Sequence, residues 1–139
     1  MAPRETDQGV IDRLVQELRG RVPSVVAVYA FGSRARGDAN GGSDFDVALL
    51  AERPLDPKER WGIQQELAVL AGADVDLVDL LRASTVMRVQ VLREALLLYE
   101  SNRAARELFE ATAFGAYARL NEERRGILAD VAATGRVHG

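Results

Sequence analysis

The sequence predicts an α/β protein, also describable as α+β, in which helices pack on a small mixed β-sheet and another helix ends the chain. Runs of β-branched residues suited to strands alternate with stretches whose apolar residues recur at helical spacing. No internal repeat or low-complexity linker divides the 139 residues, a length typical of one domain. We therefore expect a single domain over residues 1–139, with a core at about 24–99 and a C-terminal helical segment at about 101–132.

The first half of the chain predicts one helix and two strands. Apolar residues from Val10 to Leu18 recur at helical spacing, and Gly20 follows where a helix would end. Residues 25–31 are apolar without polar alternation, which is typical of a strand covered on both faces. Residues 44–50 predict a second strand, whose start carries the acids Asp44 and Asp46.

The second half of the chain begins with a predicted helix, after which predicted strands and helices again alternate. Asp56 is the expected capping residue, Pro57 occupies the first helical position, and Gly72 ends the helix. The elements expected after it are a strand at 75–80, a helix capped by Ser84 or Thr85, a short edge strand at 96–99, and a long helix from Ser101 to about Ala132.

Composition excludes several kinds of chemistry. The chain has no cysteine, and its one histidine is His138, so thiolate metal sites, cysteine nucleophiles and histidine-dependent triads are excluded. Its 18 basic and 21 acidic residues give a net charge of −3, so we expect no direct nucleic-acid binding through bulk charge. No uncharged apolar run reaches membrane-spanning length and no signal-peptide core is present, which together predict a cytoplasmic protein.

The segment from Gly32 to Asp46 contains the most informative pattern. Gly32 ends a predicted buried strand, where the lack of a side chain lets a phosphate approach the backbone, and Ser33 offers a hydroxyl and an amide. Asp44 and Asp46 are two residues apart on a strand, so their side chains share a face and are suitable ligands for Mg²⁺. The pattern predicts a phosphate cradle beside a metal site.

Two rival motifs fail in the same region. Residues 38–42 begin like a calcium-binding EF-hand loop, but Ser43 stands at the position of its invariant glycine and Leu49 at that of its closing glutamate. A Walker P-loop requires a lysine after a glycine-rich loop, whereas the only lysine, Lys58, follows none. Arg34 and Arg36 follow the proposed cradle and could neutralise triphosphate or pyrophosphate charge, although arginines after a turn commonly face solvent.

Gly32-Ser33, ten intervening residues and then Asp44-Phe45-Asp46 resemble the signature of the DNA polymerase β-type nucleotidyltransferase superfamily. Within it, the short chain and the wording of residues 32–37 most resemble the minimal nucleotidyltransferases, over about residues 25–99. The resemblance implies a nucleotidyltransferase core and a third carboxylate on the strand at 75–80. Asp74, Asp76 and Asp79 compete for that role. Asp76 is favoured over Asp79, because an acid between apolar neighbours would be buried without a partner unless it faced a site.

The resemblance also implies a reaction. Asp44, Asp46 and Asp76 would hold two Mg²⁺ ions, and Gly32, Ser33, Arg34 and Arg36 would bind the nucleotide. Many minimal nucleotidyltransferases are antitoxins that transfer AMP from ATP to a tyrosine of a HEPN-domain ribonuclease toxin, so we expect a hetero-oligomeric, type VII-like toxin–antitoxin pair. The alternatives are a non-catalytic antitoxin that only binds its partner and an enzyme that modifies a small molecule.

Overall fold

A computed structural model describes residues 5–36 and 44–134 of the chain. The described strands are β1 (Val25–Phe31), β2 (Phe45–Ala51), β3 (Val75–Asp79) and β4 (Leu96–Glu100). The described helices are α1 (Glu5–Arg21), α2 (Gly32–Arg36), α3 (Pro57–Ala71), α4 (Thr85–Glu94) and α5 (Arg103–Thr134). The mixed α/β architecture and the C-terminal helix predicted from the sequence are confirmed; His138 lies outside the described residues.

The four strands form one sheet in the order β3-β2-β1-β4. β1 pairs antiparallel with both β2 and β4, whereas β2 and β3 are parallel. β1 therefore lies inside the sheet, and it is covered on both faces, as its uninterrupted apolar run predicts. β4 is an edge strand, as predicted. The other edge, β3, is covered by α3, where the Gln64 side chain accepts from Leu77 N at 2.9 Å and Arg60 donates to Leu77 O at 3.1 Å. These bonds satisfy backbone groups that an open edge would expose.

Successive side chains of a strand point to opposite faces of the sheet, so the core consists of two clusters, one on each face. On one face, α1 and α3 cover a cluster that includes Leu14, Leu18, Leu49, Leu67 and Leu77. On the other face, α4 and α5 cover a second cluster that includes Tyr29, Leu50, Leu80, Val91 and Phe109. β2 contributes to both clusters, so its even-numbered residues from 46 to 50 point to the α4/α5 face.

Some helix ends lie where the local sequence signals predict them, and others differ. Gly72 ends α3 in the left-handed conformation, and Ser84 caps α4 by accepting from Met87 N at 3.1 Å, as predicted. Asp56 precedes α3 with extended backbone but makes no side-chain cap bond. The last helix was predicted to start at Ser101, but α5 begins at Arg103, and Asn102 caps it by accepting from Ala105 N at 3.0 Å. The Ser101 hydroxyl instead donates to Val25 O at 2.7 Å.

A polar network holds α5 against the sheet. The Tyr29 hydroxyl donates to Glu110 Oε2 at 2.8 Å, and Arg106 joins Glu110 at 2.8 Å to Glu100 of β4 at 2.5 Å. Burial of the Tyr29 side chain, which is 2% exposed, and its bond to Glu110 raise the pKa of its hydroxyl. Hydrogen bonds from Arg106 and Arg103 lower the pKa of Glu100. The network therefore keeps the Tyr29 hydroxyl protonated beside the ion pairs that Arg106 makes with Glu100 and Glu110.

In the part of the chain that the structure describes, no helix combines the length and the apolar character needed to cross a bilayer.

Replacing Tyr29 by Phe should lower the free energy of unfolding by about 1 to 2 kcal/mol, because Glu110 loses a buried hydrogen-bond donor. Above pH about 10 the unfolded wild-type chain releases the tyrosine proton that the folded chain retains, so wild-type stability falls as pH rises further. That extra alkaline loss should be absent from Tyr29→Phe. Urea unfolding from pH 7 to 11 measures both effects.

The matched control is Tyr99→Phe, since Tyr99 lies under the Arg19 guanidinium, 4.4 Å from the ring centroid, and no described residue hydrogen-bonds its hydroxyl. Its stability should stay within about 0.5 kcal/mol of wild type. Equal stabilities for wild type and Tyr29→Phe at neutral pH would contradict a stabilising role for the Tyr29 bond.

Candidate active site

The segments singled out in the sequence meet at one edge of the sheet. β1 ends there at Phe31, and β2 begins there because it is antiparallel to β1. β3 also begins there because it is parallel to β2, and Phe45 N donates to Asp74 O at 2.9 Å where the two strands start. The topology thus brings Gly32 and the acids of β2 and β3 together.

Gly32 lies directly against Asp46. Phe31 and Asp46 are register partners, and Gly32 turns the chain out of β1 with a φ of 75°. A Cβ at this position would lie 3.1 Å from Asp46 Cγ and closer still to Oδ2. Only glycine combines this positive φ with so close an approach to a carboxylate, so the glycine follows from the site's geometry as well as from its turn.

Asp46 and Asp76 are neighbours across the parallel pair β2–β3. They are register partners, and partners on adjacent parallel strands project to the same face of a sheet. Asp44 lies two residues before Asp46, immediately ahead of β2, and its side chain is exposed. The site therefore has two neighbouring carboxylates, those of Asp46 and Asp76, and a third, that of Asp44, just before the start of β2.

The structure distinguishes Asp76 from Asp79 clearly. Asp76 is exposed at the start of β3, although it lies between the buried residues Val75 and Leu77. Asp79 is only 4% exposed. Its carboxylate accepts from Leu55 N at 2.7 Å and from Leu81 N at 3.1 Å, so it holds the loop after β2 against the end of β3.

Arg82 completes this loop anchor, which the sequence did not reveal. Its Nε donates to Leu55 O at 2.5 Å, so both backbone groups of Leu55 are bound by side chains from the end of β3 and the turn after it. A pattern of one acid in an apolar strand carries no signal for a bond to a loop 24 residues away.

The remaining residues of the predicted cradle lie on or next to α2. Ser33 is the second residue of this five-residue helix and is partly exposed. The backbone of Arg34 and Arg36 also belongs to α2, but the side chains of both lie outside the described residues, as does the loop at 37–43 that contains the failed EF-hand pattern.

No three acidic or histidine side chains among the described residues come close enough to form a metal site by themselves. Mg²⁺ does not need such a cage, since it commonly takes one or two carboxylates and completes its shell with water and substrate phosphate oxygens. The neighbouring residues Asp46 and Asp76, which share one face of the sheet beside Gly32, are a donor set of that type.

A cleft of about 400 Å³ on the α4/α5 side of the sheet reaches Phe31, the residue before Gly32. We call it the α4 cleft, and its lining residues are Phe31, Met87, Gln90, Val91, Arg93 and Glu94. The sequence did not single it out, because five of these residues have the pattern of an ordinary helix and Phe31 belongs to a distant strand. A larger cleft of about 520 Å³, lined by Arg19, Tyr99 and Ser101 among others, contains none of the predicted site residues.

The fold and this edge define a nucleotidyltransferase: residues 13–104 match the polymerase β nucleotidyltransferase family model, and the chain belongs to that family. It is 38% identical over 122 residues to the protein adenylyltransferase MntA of Shewanella oneidensis, which covers 88% of this chain and 87% of MntA. The resemblance stated from Gly32-Ser33 and Asp44-Phe45-Asp46 is thereby confirmed.

Solved structures give the same result. A chain of a toxin–antitoxin crystal structure with AMP-PNP matches with a TM-score of 0.79 and 37% identity, over 88% of this chain and 98% of that one. A complex of a tri-AMPylated Shewanella oneidensis HEPN toxin with MNT antitoxin matches with a TM-score of 0.75 and 35% identity, over 90% of this chain and 98% of that one.

Gly32→Ala should destabilise the fold by about 1 to 3 kcal/mol, because the residue must keep a positive φ while its Cβ displaces Asp46. It should also weaken binding of a nucleoside triphosphate, which can be measured by calorimetry beside chemical unfolding.

The control for this substitution is Gly62→Ala. Gly62 lies inside α3, and a Cβ there would meet nothing within 4 Å. That variant should bind nucleotide normally and match or exceed wild-type stability by up to about 1 kcal/mol, since alanine favours helix. If Gly32→Ala kept wild-type stability and nucleotide binding, as Gly62→Ala should, the close packing of residue 32 on Asp46 would be unimportant for both properties.

Proposed function

We propose that this protein is an adenylyltransferase that transfers AMP from ATP to a hydroxyl of another protein. The observation that carries the proposal is the meeting of Gly32, Asp46 and Asp76 at one sheet edge, in a chain 38% identical to an adenylyltransferase. An acceptor hydroxyl oxygen attacks the α-phosphorus of ATP, the bond to the bridging oxygen breaks, and pyrophosphate leaves. The hydroxyl proton is lost to a base or to water, and the product is a phosphodiester.

The acceptor that we propose is a tyrosine of a HEPN-domain toxin, so that this chain acts as the antitoxin of a hetero-oligomeric pair. The support is the similarity to the antitoxin chain in complex with a tri-AMPylated HEPN toxin. ATP as donor also fits the cytoplasmic location that the sequence predicts.

Asp44, Asp46 and Asp76 are the residues that would hold Mg²⁺. The ion, when bound, would neutralise the triphosphate and make its α-phosphorus more electrophilic. Gly32, whose backbone lies against Asp46, and Ser33, which has a hydroxyl and an amide to offer, would bind the phosphates. Arg34 and Arg36 would neutralise the leaving pyrophosphate. Asp76 would also help to remove the proton of the acceptor hydroxyl.

A direct test incubates the protein with Mg²⁺, ATP labelled at the α-phosphate, and a HEPN-type protein encoded beside its gene. The label should appear on the HEPN-type protein, and Asp44→Asn together with Asp46→Asn should reduce the rate by at least about 100-fold, since cation binding is lost. The control is Asp56→Asn, because Asp56 is exposed and makes no cap bond.

The same variants separate catalysis from simple binding. A double variant that transfers no AMP yet neutralises the toxin as well as wild type, at equal expression, would show that the chain acts as a binding antitoxin. Absence of labelling by the wild-type protein, despite measured ATP binding, would overturn the proposed transfer itself.

Asp76→Asn and Asp79→Asn should have opposite signatures. Asp76→Asn should abolish transfer with little change in stability, because its side chain is exposed at the site. Asp79→Asn should lower the free energy of unfolding by about 1 to 3 kcal/mol, because an amide cannot replace a buried carboxylate that accepts two backbone amides. Its transfer rate at low temperature should stay within a few fold of wild type. Transfer kinetics and urea unfolding of both variants measure this split, and the reverse result would assign the third carboxylate to Asp79.

A further inference from the structure

The α4 cleft opens next to the site at which the triphosphate is proposed to bind. Phe31, one of its walls, directly precedes Gly32, and the face of the sheet that it borders also carries Asp46 and Asp76. Its volume of about 400 Å³ lies within the range of small-molecule sites. If the phosphates of a nucleotide bind at Gly32, the α4 cleft is therefore the neighbouring cavity for its ribose and base.

The lining of the α4 cleft is that of a site for a flat ring with polar edges. Met87, Val91 and Glu94 recur at helical spacing, so one stripe of α4 faces Phe31 across the cleft. Val91 is buried and forms an apolar floor, while Phe31 and Met87 are partly exposed and offer an aromatic face and a thioether. Gln90, on the same helix, is exposed and carries an amide that both donates and accepts.

The α4 wall is fixed in place on both sides. Arg88 donates to the carbonyls of Leu80 and Leu81 at 2.7 and 2.9 Å, and its guanidinium lies 5.1 Å from the ring centroid of Phe109 on α5. Arg93 lies 5.2 Å from the ring centroid of Tyr117, also on α5. Because helix α4 is held to the sheet and to α5, the α4 cleft is preformed, which reduces the cost of ordering a ligand.

We propose that the α4 cleft binds the base of the nucleotide and that the Gln90 amide selects adenine; this inference rests on the proposed function. Adenine offers an amino donor and a ring-nitrogen acceptor side by side, and a glutamine amide matches that pair with two hydrogen bonds. Guanine presents two acceptors at the corresponding edge, so it would leave the amide oxygen of Gln90 facing another acceptor. Phe31 and Met87 would contact the faces of the ring without distinguishing bases.

The test measures binding rather than transfer. Calorimetric titrations with ATP, GTP and inorganic tripolyphosphate, all in Mg²⁺, are compared for wild type, Gln90→Ala and Gln16→Ala. Gln16 is an exposed glutamine on α1, across the sheet from the α4 cleft, so Gln16→Ala is the matched control. Gln90 is exposed, so its replacement should leave the fold intact, which urea unfolding checks.

Gln90→Ala should raise the Kd for ATP by about tenfold, change the Kd for GTP by less than about twofold, and leave tripolyphosphate binding unchanged. Phe31→Leu should weaken ATP and GTP alike and spare tripolyphosphate, because stacking contacts depend little on the identity of the base. Gln16→Ala should match wild type for all three ligands. An unchanged preference of Gln90→Ala for ATP over GTP would overturn the assignment.

The outcome also separates this inference from the proposed function. If wild type transfers AMP but Gln90→Ala retains the ATP preference, the role of the α4 cleft is wrong and adenylyl transfer stands. If the binding pattern is as expected but no acceptor is labelled, the base site stands and adenylyl transfer fails. Tripolyphosphate binding without any gain from the nucleoside would overturn the base site.

Discussion

The register of β2 between its two neighbours is the constraint on which the site depends. Phe31 and Asp76 both pair with Asp46, so a single alignment places the end of β1 and the acid of β3 on either side of that carboxylate. A slip of one residue would turn Asp46 to the α1/α3 face and bring Phe45 out of its core cluster. Because both faces of β2 are packed, any slip costs buried apolar area, and core packing thereby fixes the geometry of the acids.

The sequence predicted the sheet well because the relevant signals are local. The apolar run of β1 has no polar alternation, and that property belongs to a strand covered on both faces wherever it lies in a sheet. Gly72 and Ser84 end and begin helices through their own conformations. The last helix begins two residues after the predicted Ser101, whose hydroxyl bonds to Val25 O of the neighbouring strand, a partner that no local pattern indicates.

The site was predictable only in part, for a similar reason. The spacing from Gly32 to Asp46 indicated phosphate and metal chemistry, but their close packing depends on a strand register. The α4 cleft could not be predicted from the sequence, because Met87 and Gln90 line a common cavity with Phe31 only when α4 packs beside β1. Asp76 was expected to be buried without a partner unless it faced a site, and the structure leaves its side chain exposed between the buried residues Val75 and Leu77.

Asp76 and Asp79 show how one strand can divide two tasks between similar residues. A carboxylate that binds a cation must keep at least one oxygen accessible to it. Asp79 cannot do so, because each of its oxygens accepts a backbone amide in a buried setting, and withdrawing either would leave an unsatisfied amide at Leu55 or Leu81. Asp76 has the opposite environment, exposed at the edge where β1 ends. These environments favour Asp76 over Asp79 for the proposed role of third carboxylate, because the oxygens of Asp79 already bind two backbone amides.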